Sequence, residues 1–162
     1  RGELREPAAG ALEEAEARAR APLGRALRGN LGALRDALHT VMWEDVGILR
    51  TAEGLARARS RLAGLEAELH DTGLGPQDLR YNLTWHDWLN LESLITVSRA
   101  ICEAADARTD SRGAHFREDH PETGDLATSQ YTQVTSGGGE LRTSFAPVEF
   151  TRVKPGESLL TS

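Results

Sequence analysis

The stretch Asp110-Ser-Arg-Gly-Ala-His-Phe-Arg-Glu-Asp119 packs Arg112, His115 and Arg117 beside Asp110, Glu118 and Asp119, with His120 and Pro121 following. Arginine presents a planar fork of donors that suits carboxylates and exposed carbonyls, so Arg112 and Arg117 are candidate anchors for an anionic or carbonyl-bearing partner. Gly113 lets the chain turn sharply between them. Two readings follow: a loop stapled by ion pairs to its own helices or to an adjoining domain, or a direct ligand site. His115 and His120 with Glu118 and Asp119 form a further set of metal-ligand types, but their spacing fits no zinc signature and lacks thiolates.

Other candidate chemistries are weaker. Gly73-Leu-Gly75 follows a helical pattern and lacks a third glycine, while Gly137–Gly139 lies between strand-like runs. Both read as turns, and neither makes a phosphate cradle. Cys102 falls on the apolar face of a helical pattern, where a packed thiol is expected rather than a nucleophile. A single cysteine also excludes a disulfide framework and a cysteine-rich cluster. Asn82-Leu-Thr84 matches a glycosylation sequon and reads as a coincidence. His39, His70 and His86 fall at helix ends or faces. No pair of carboxylates has neighbours that suggest tuned acid–base work.

The elements that must position the charged segment are helices. A first runs from about Leu31 to Asp45, with Leu31, Leu34, Leu38, Val41 and Met42 on one face. Gly47 then marks a break or a close approach. A second runs from about Thr51 to His70 along a seam of Leu55, Ala58, Leu62, Leu65 and Leu69. Gly73, Gly75 and Pro76 stop it. A third is expected from about Asp87 to Arg108, capped by Thr84 or Asp87, with Leu91, Leu94, Ile95, Ser98, Ile101, Cys102 and Ala105 inward. Trp85 and Trp88 should cover one end.

Beyond the charged segment, Tyr131–Thr135 and Leu141–Phe145 alternate as strands around a Ser136–Gly139 turn, and Val148–Val153 alternates as well. The predicted class is mainly α: an antiparallel three-helix bundle with a C-terminal β-hairpin and extended tail. The expected divisions are a leader or linker over 1–29, holding a short helix at Ala8–Arg20, the bundle over 30–126, and the hairpin and tail over 127–162.

The net charge of −6, with Arg interleaved among Glu and Asp, argues against nucleic-acid binding. No apolar stretch is long enough to span a bilayer, so direct membrane insertion is not expected. A reducing, cytoplasmic setting suits the composition. The chain opens on Arg1 without a methionine, which suggests a fragment or a processed chain.

From about Leu34 to Pro155 the chain resembles the C-terminal helical domain of the succinate dehydrogenase/fumarate reductase flavoprotein family, which includes L-aspartate oxidase. The matching pieces are Met42-Trp-Glu-Asp-Val-Gly-Ile-Leu-Arg50, Asn90-Leu-Glu-Ser-Leu-Ile-Thr-Val-Ser-Arg-Ala-Ile-Cys-Glu-Ala-Ala105, and Arg108-Thr-Asp-Ser-Arg-Gly-Ala-His-Phe-Arg117 with Asp119 and Pro121. After the proline, family members commonly carry an acidic pair and a tryptophan, where this chain reads Glu122-Thr-Gly-Asp-Leu-Ala127. The resemblance implies a piece of a larger enzyme whose FAD and dicarboxylate lie in preceding domains. It implies no catalytic, cofactor-binding or metal residue here, and FAD only in the full-length enzyme. It makes Arg112, His115 and Arg117 interdomain contacts to a flavin-binding domain. An iron–sulfur subunit is a further partner, with an indirect place at the inner membrane face. An L-aspartate oxidase domain and an independent three-helix protein-binding adaptor remain open as alternatives.

Overall fold

In the computed structural model, residues 6–76, 78–137 and 140–157 are described. Helix α1 (Ala11–Arg20) leads into a 3-10 turn at Ala21–Gly24. It is followed by α2 (Leu31–Glu44), α3 (Ala52–Asp71) and α4 (Leu83–Ala107). A short strand β1 (Leu49–Arg50) pairs in parallel with β2 (Phe116–Arg117), and β3 (Gln130–Gly137) pairs antiparallel with β4 (Glu140–Pro147). The molecule is mainly helical with a small hairpin, as expected. Gly138 and Gly139 of the anticipated turn lie outside the described residues.

The core is drawn from the three longer helices: Leu34, Leu38 and Val41 of α2, the α3 seam, and Trp88, Leu91, Ile95, Cys102 and Ala105 of α4. Leu55, Ala58, Leu62 and Leu69 have no solvent exposure, so the leucine seam lies fully inside. Burial of this apolar surface, worth about 25 cal/mol per Å² on transfer scales, drives the assembly. Trp88 is buried and its indole N–H donates to the Leu69 carbonyl at 3.0 Å near the end of α3. The same carbonyl accepts from the Thr72 amide at 3.0 Å, so the indole ties α4 to the C-terminal turn of α3.

Each long helix starts on a side-chain cap. Asn30 accepts from the amide of Ala33, and Thr51 accepts from Gly54. The third long helix departs from expectation: it starts four residues before Asp87, at Leu83. Its cap is Asn82, which accepts from the Trp85 amide at 2.9 Å and donates to the Asp78 carbonyl at 3.1 Å. Neither Thr84 nor Asp87 caps it. The sequon asparagine is therefore 8% exposed and committed to the fold.

Part of the expected leader fastens to the helices that follow it. Gly73 exchanges two backbone hydrogen bonds with Arg28, and the Leu74 amide donates to Pro22. A Cβ at Gly73 would lie 2.0 Å from the Ala26 carbonyl oxygen, so this glycine permits close chain approach in addition to ending α3. Trp85, half-buried, donates its indole N–H to Ala19 at 2.7 Å. Val148–Val153 forms no strand. Pro147 ends the ladder because it has no N–H to pass on, and the last bond beside it runs from the Val148 amide to Ser129.

Candidate functional site

Residues 110–121 form a compact loop at the end of α4, joined to the α2–α3 connection through the β1–β2 pair. Within it, Arg112 and His115 exchange backbone hydrogen bonds at 2.8 and 2.9 Å. Gly113 sits between them at φ +53°, the position for which a II′ hairpin turn requires glycine. The Ser111 hydroxyl accepts from the Arg117 amide and donates to the His120 carbonyl at 2.7 Å, closing the loop on itself.

Arg117 is 2% exposed. One terminal nitrogen donates to the carbonyls of Ala105, Asp106 and Arg108 at 3.1, 3.2 and 3.0 Å, the unpaired carbonyls at the end of α4. Its other nitrogens grip Asp119 in a bidentate pair, both contacts at 2.7 Å. Asp119 in turn accepts from the Ala52 amide at the start of α3, at 2.9 Å. A cation therefore sits at the negative end of α4 and an anion at the positive end of α3, and the two are bonded to each other. The Arg117 bonds hold the Asp119 carboxyl well below the usual carboxylate range. The same bonds raise the pKa of Arg117.

Arg112 is also engaged within the chain. Its guanidinium donates to Asp110, to the carbonyls of Thr123 and Asp125, and to the Ser129 hydroxyl. It ties residues 121–129 back to the end of α4. Asp110 also pairs with Arg108 at 2.9 Å. Burial pushes the Asp110 pKa upward, and the two arginines outweigh it and hold it below the usual value. Arg108 reaches on to the Gln130 carbonyl and the Thr132 hydroxyl, fixing the first strand of the hairpin.

His115 has a different setting. Arg50 donates to its Nδ1 at 2.7 Å. Arginine has no acceptor, so Nδ1 must be the unprotonated nitrogen and Nε2 must carry the hydrogen. Burial, followed by the charges of Arg50, Arg108 and Arg117, lowers the His115 pKa, in keeping with a neutral ring. Nε2 is buried and has no hydrogen-bond partner among the described residues.

The structure thus brings Arg112, His115 and Arg117 onto one loop and assigns each a different set of contacts. Arg50, Arg108 and Asn82 were not singled out from the sequence as side chains of the site or its scaffold. The Ile48-Leu49-Arg50 run after Gly47 held a usable signal, since a short apolar run between two helices reads as a strand. Beside it, Trp43 is 84% exposed and lines a shallow apolar cleft with Ile48 and Leu49. Large apolar side chains grouped in the open commonly mark an interaction surface. Cys102 is buried, donates toward the Leu55 carbonyl, and has its pKa pushed by burial up to about 11. Among the described residues, no group of three or more metal-ligating side chains comes together, and no helix is long and apolar enough to cross a membrane.

The site is thus a stapled charged loop on a helical core, with an exposed apolar cleft beside it. A family model described as Fumarate reductase flavoprotein C-term matches residues 35–159, and the chain belongs to this family. It is 30% identical over 125 residues to the fumarate reductase flavoprotein subunit of Mycobacterium tuberculosis H37Rv, covering 76% of this chain and 21% of that protein. The 8-methylmenaquinol:fumarate reductase flavoprotein subunit of Wolinella succinogenes is 28% identical over 123 residues, covering 75% and 20%. The L-aspartate oxidase of Streptomyces coelicolor is 35% identical over 104 residues, covering 62% and 17%. A solved quinol–fumarate reductase with menaquinol molecules superposes with a TM-score of 0.81 at 25% identity, over 95% of this chain and 27% of that one. The chain spans about a fifth of the length of these curated relatives.

Proposed function

We propose that the chain serves as the helical C-terminal domain of an FAD-dependent oxidoreductase of the succinate/fumarate type. In this reading FAD and the dicarboxylate are held by other parts of the polypeptide, and the helical domain buttresses the flavin-binding domain. Arg112, His115 and Arg117 serve the interdomain contact together. Arg112 and Arg117 spend their donors on the loop and on the chain to either side of it, and so fix the shape of the loop, while the His115 Nε2–H is left without a partner among the described residues. The cleft at Trp43, Ile48 and Leu49 supplies apolar area beside that loop, because β1 joins the two. An iron–sulfur subunit is a further partner, through which the enzyme would sit at the inner face of a membrane.

The observation that carries this reading is the family match over residues 35–159, combined with uncovered apolar side chains beside the charged loop. The test is to purify both the 162-residue chain and the intact polypeptide. The intact protein should hold flavin and interconvert succinate and fumarate, whereas the chain alone should do neither. Stoichiometric flavin on the chain alone would overturn the proposal. The likeness to the Streptomyces coelicolor L-aspartate oxidase favours a second reading, in which the intact protein oxidises aspartate in preference to succinate. Parallel assays on the two substrates separate them.

A further inference from the structure

Arg50 stands apart from the other arginines of the loop. Arg108, Arg112 and Arg117 each pair with a carboxylate, but among the described residues Arg50 has no carboxylate partner. It is half-buried, and burial lowers its pKa. Its Nε donates to the Val46 carbonyl at 3.1 Å and one terminal N–H goes to His115, which leaves three of the five guanidinium N–H groups without a partner among the described residues. An uncompensated cation withdrawn from water is costly unless something of opposite charge joins it.

The surroundings suit such a ligand. Arg50 and His115 line a cleft of about 220 Å³ with Ile101, Ala105, Arg108 and Thr132. Its walls are apolar apart from these polar heads. His115 lines the cleft as well, and its buried Nε2–H has no acceptor among the described residues. The set therefore offers a fork, a second donor and an apolar wall in one place, which is what a carboxylate on a short apolar stem requires.

We propose that Arg50 and His115 form a binding site for a carboxylate group, carried either by a small organic acid or by an acidic side chain of an adjoining domain. The proposal deepens the interdomain reading and depends on it only for the second source. Such a ligand would neutralise the Arg50 charge and, with a shift of the ring that uncovers Nε2, accept from the His115 Nε2–H, which is buried in the unliganded chain. A bound anion next to the ring would also raise the His115 pKa, against the combined effect of Arg50, Arg108 and Arg117 and in the same direction as Asp110.

The test is nitrogen NMR of the His115 ring and the Arg50 guanidinium in the 162-residue chain, titrated with acetate against chloride at matched ionic strength. A saturable, millimolar shift specific to acetate is expected, weakened about tenfold or more in Arg50→Gln. Arg50→Lys, which keeps the charge without the fork, should fall between the two. The wild-type titration tests the site even if a variant fails to fold. Equal responses to acetate and chloride, or an Arg50→Gln variant that titrates like wild type, would overturn the proposal. The intact polypeptide distinguishes the sources. A His115 signal already at the bound position and unmoved by acetate assigns the site to an acidic side chain of the adjoining domain. A signal that acetate shifts as in the isolated chain assigns it to a free acid, and leaves the carboxylate site standing where the interdomain contact fails.

Discussion

Replacing Arg117 with methionine removes the charge while keeping most of the apolar stem, so it isolates the bonding between the two helix ends. Three carbonyls at the end of α4 lose their donor, and Asp119 keeps only the Ala52 amide of its present charge-assisted contacts. Stripping one partner from a buried ion pair costs roughly 3–5 kcal/mol. The low end applies here, because the Asp119 side chain is 31% exposed and regains water. A loss of about 3 kcal/mol in a chain of this size lowers Tm by roughly 6–12 °C. The control is Arg112→Met, whose bonds hold residues 121–129 and the half-buried Asp110. It should cost nearer ~1 kcal/mol.

Acid adds a second signature. With its native pKa depressed, Asp119 contributes stability that is complete above the ordinary carboxylate value of about 3.9 and is lost as pH falls through the lower native value. The gap between wild type and Arg117→Met should therefore hold from neutral pH to about 4 and narrow below it. Thermal melts by circular dichroism across that range measure both effects. An Arg117→Met loss no larger than that of Arg112→Met, or a gap indifferent to acid, would refute the linked-helix argument.

Asn82→Ala should destabilise the chain by about 1 kcal/mol through loss of the α4 cap, read by urea denaturation, with Thr84→Ala as a near-neutral comparison. Cys102, with its pKa near 11, should resist iodoacetamide at neutral pH in the folded chain and label readily in denaturant, as scored by mass spectrometry. His115 is lowered in the folded state, so its contribution to stability should be full above the ordinary histidine pKa of about 6.5 and fall away as pH drops below it toward the native value. That slope, measured by urea melts, should vanish in His115→Gln.

The helices were legible because their apolar positions recur at helical spacing: Leu55, Ala58, Leu62, Leu65 and Leu69 predict the α3 seam, and all are buried. The start of α4 was misplaced because Asn82, Thr84 and Asp87 are all competent caps, and tertiary contact chose among them. Asn82 wins by bonding in both directions, to the Trp85 amide and the Asp78 carbonyl. The charged loop was visible as a cluster, and its internal wiring was not. Sequence proximity cannot show that Arg117 turns inward onto α4 while Asp119 reaches the start of α3, since those partners lie 9 to 67 residues away. Arg50 was hidden for the same reason, being 65 residues from His115.

In the proposed arrangement the loop at 110–121 and the cleft at Trp43, Ile48 and Leu49 form the face toward a flavin-binding domain. Amide hydrogen exchange, compared between the 162-residue chain and the intact polypeptide, reports whether that face is covered. Residues 42–50 and 110–121 should be more slowly exchanging in the intact protein, with α3 amides in the core unchanged. Identical exchange of those two segments in both forms would mean that this face is not the one that meets the flavin-binding domain.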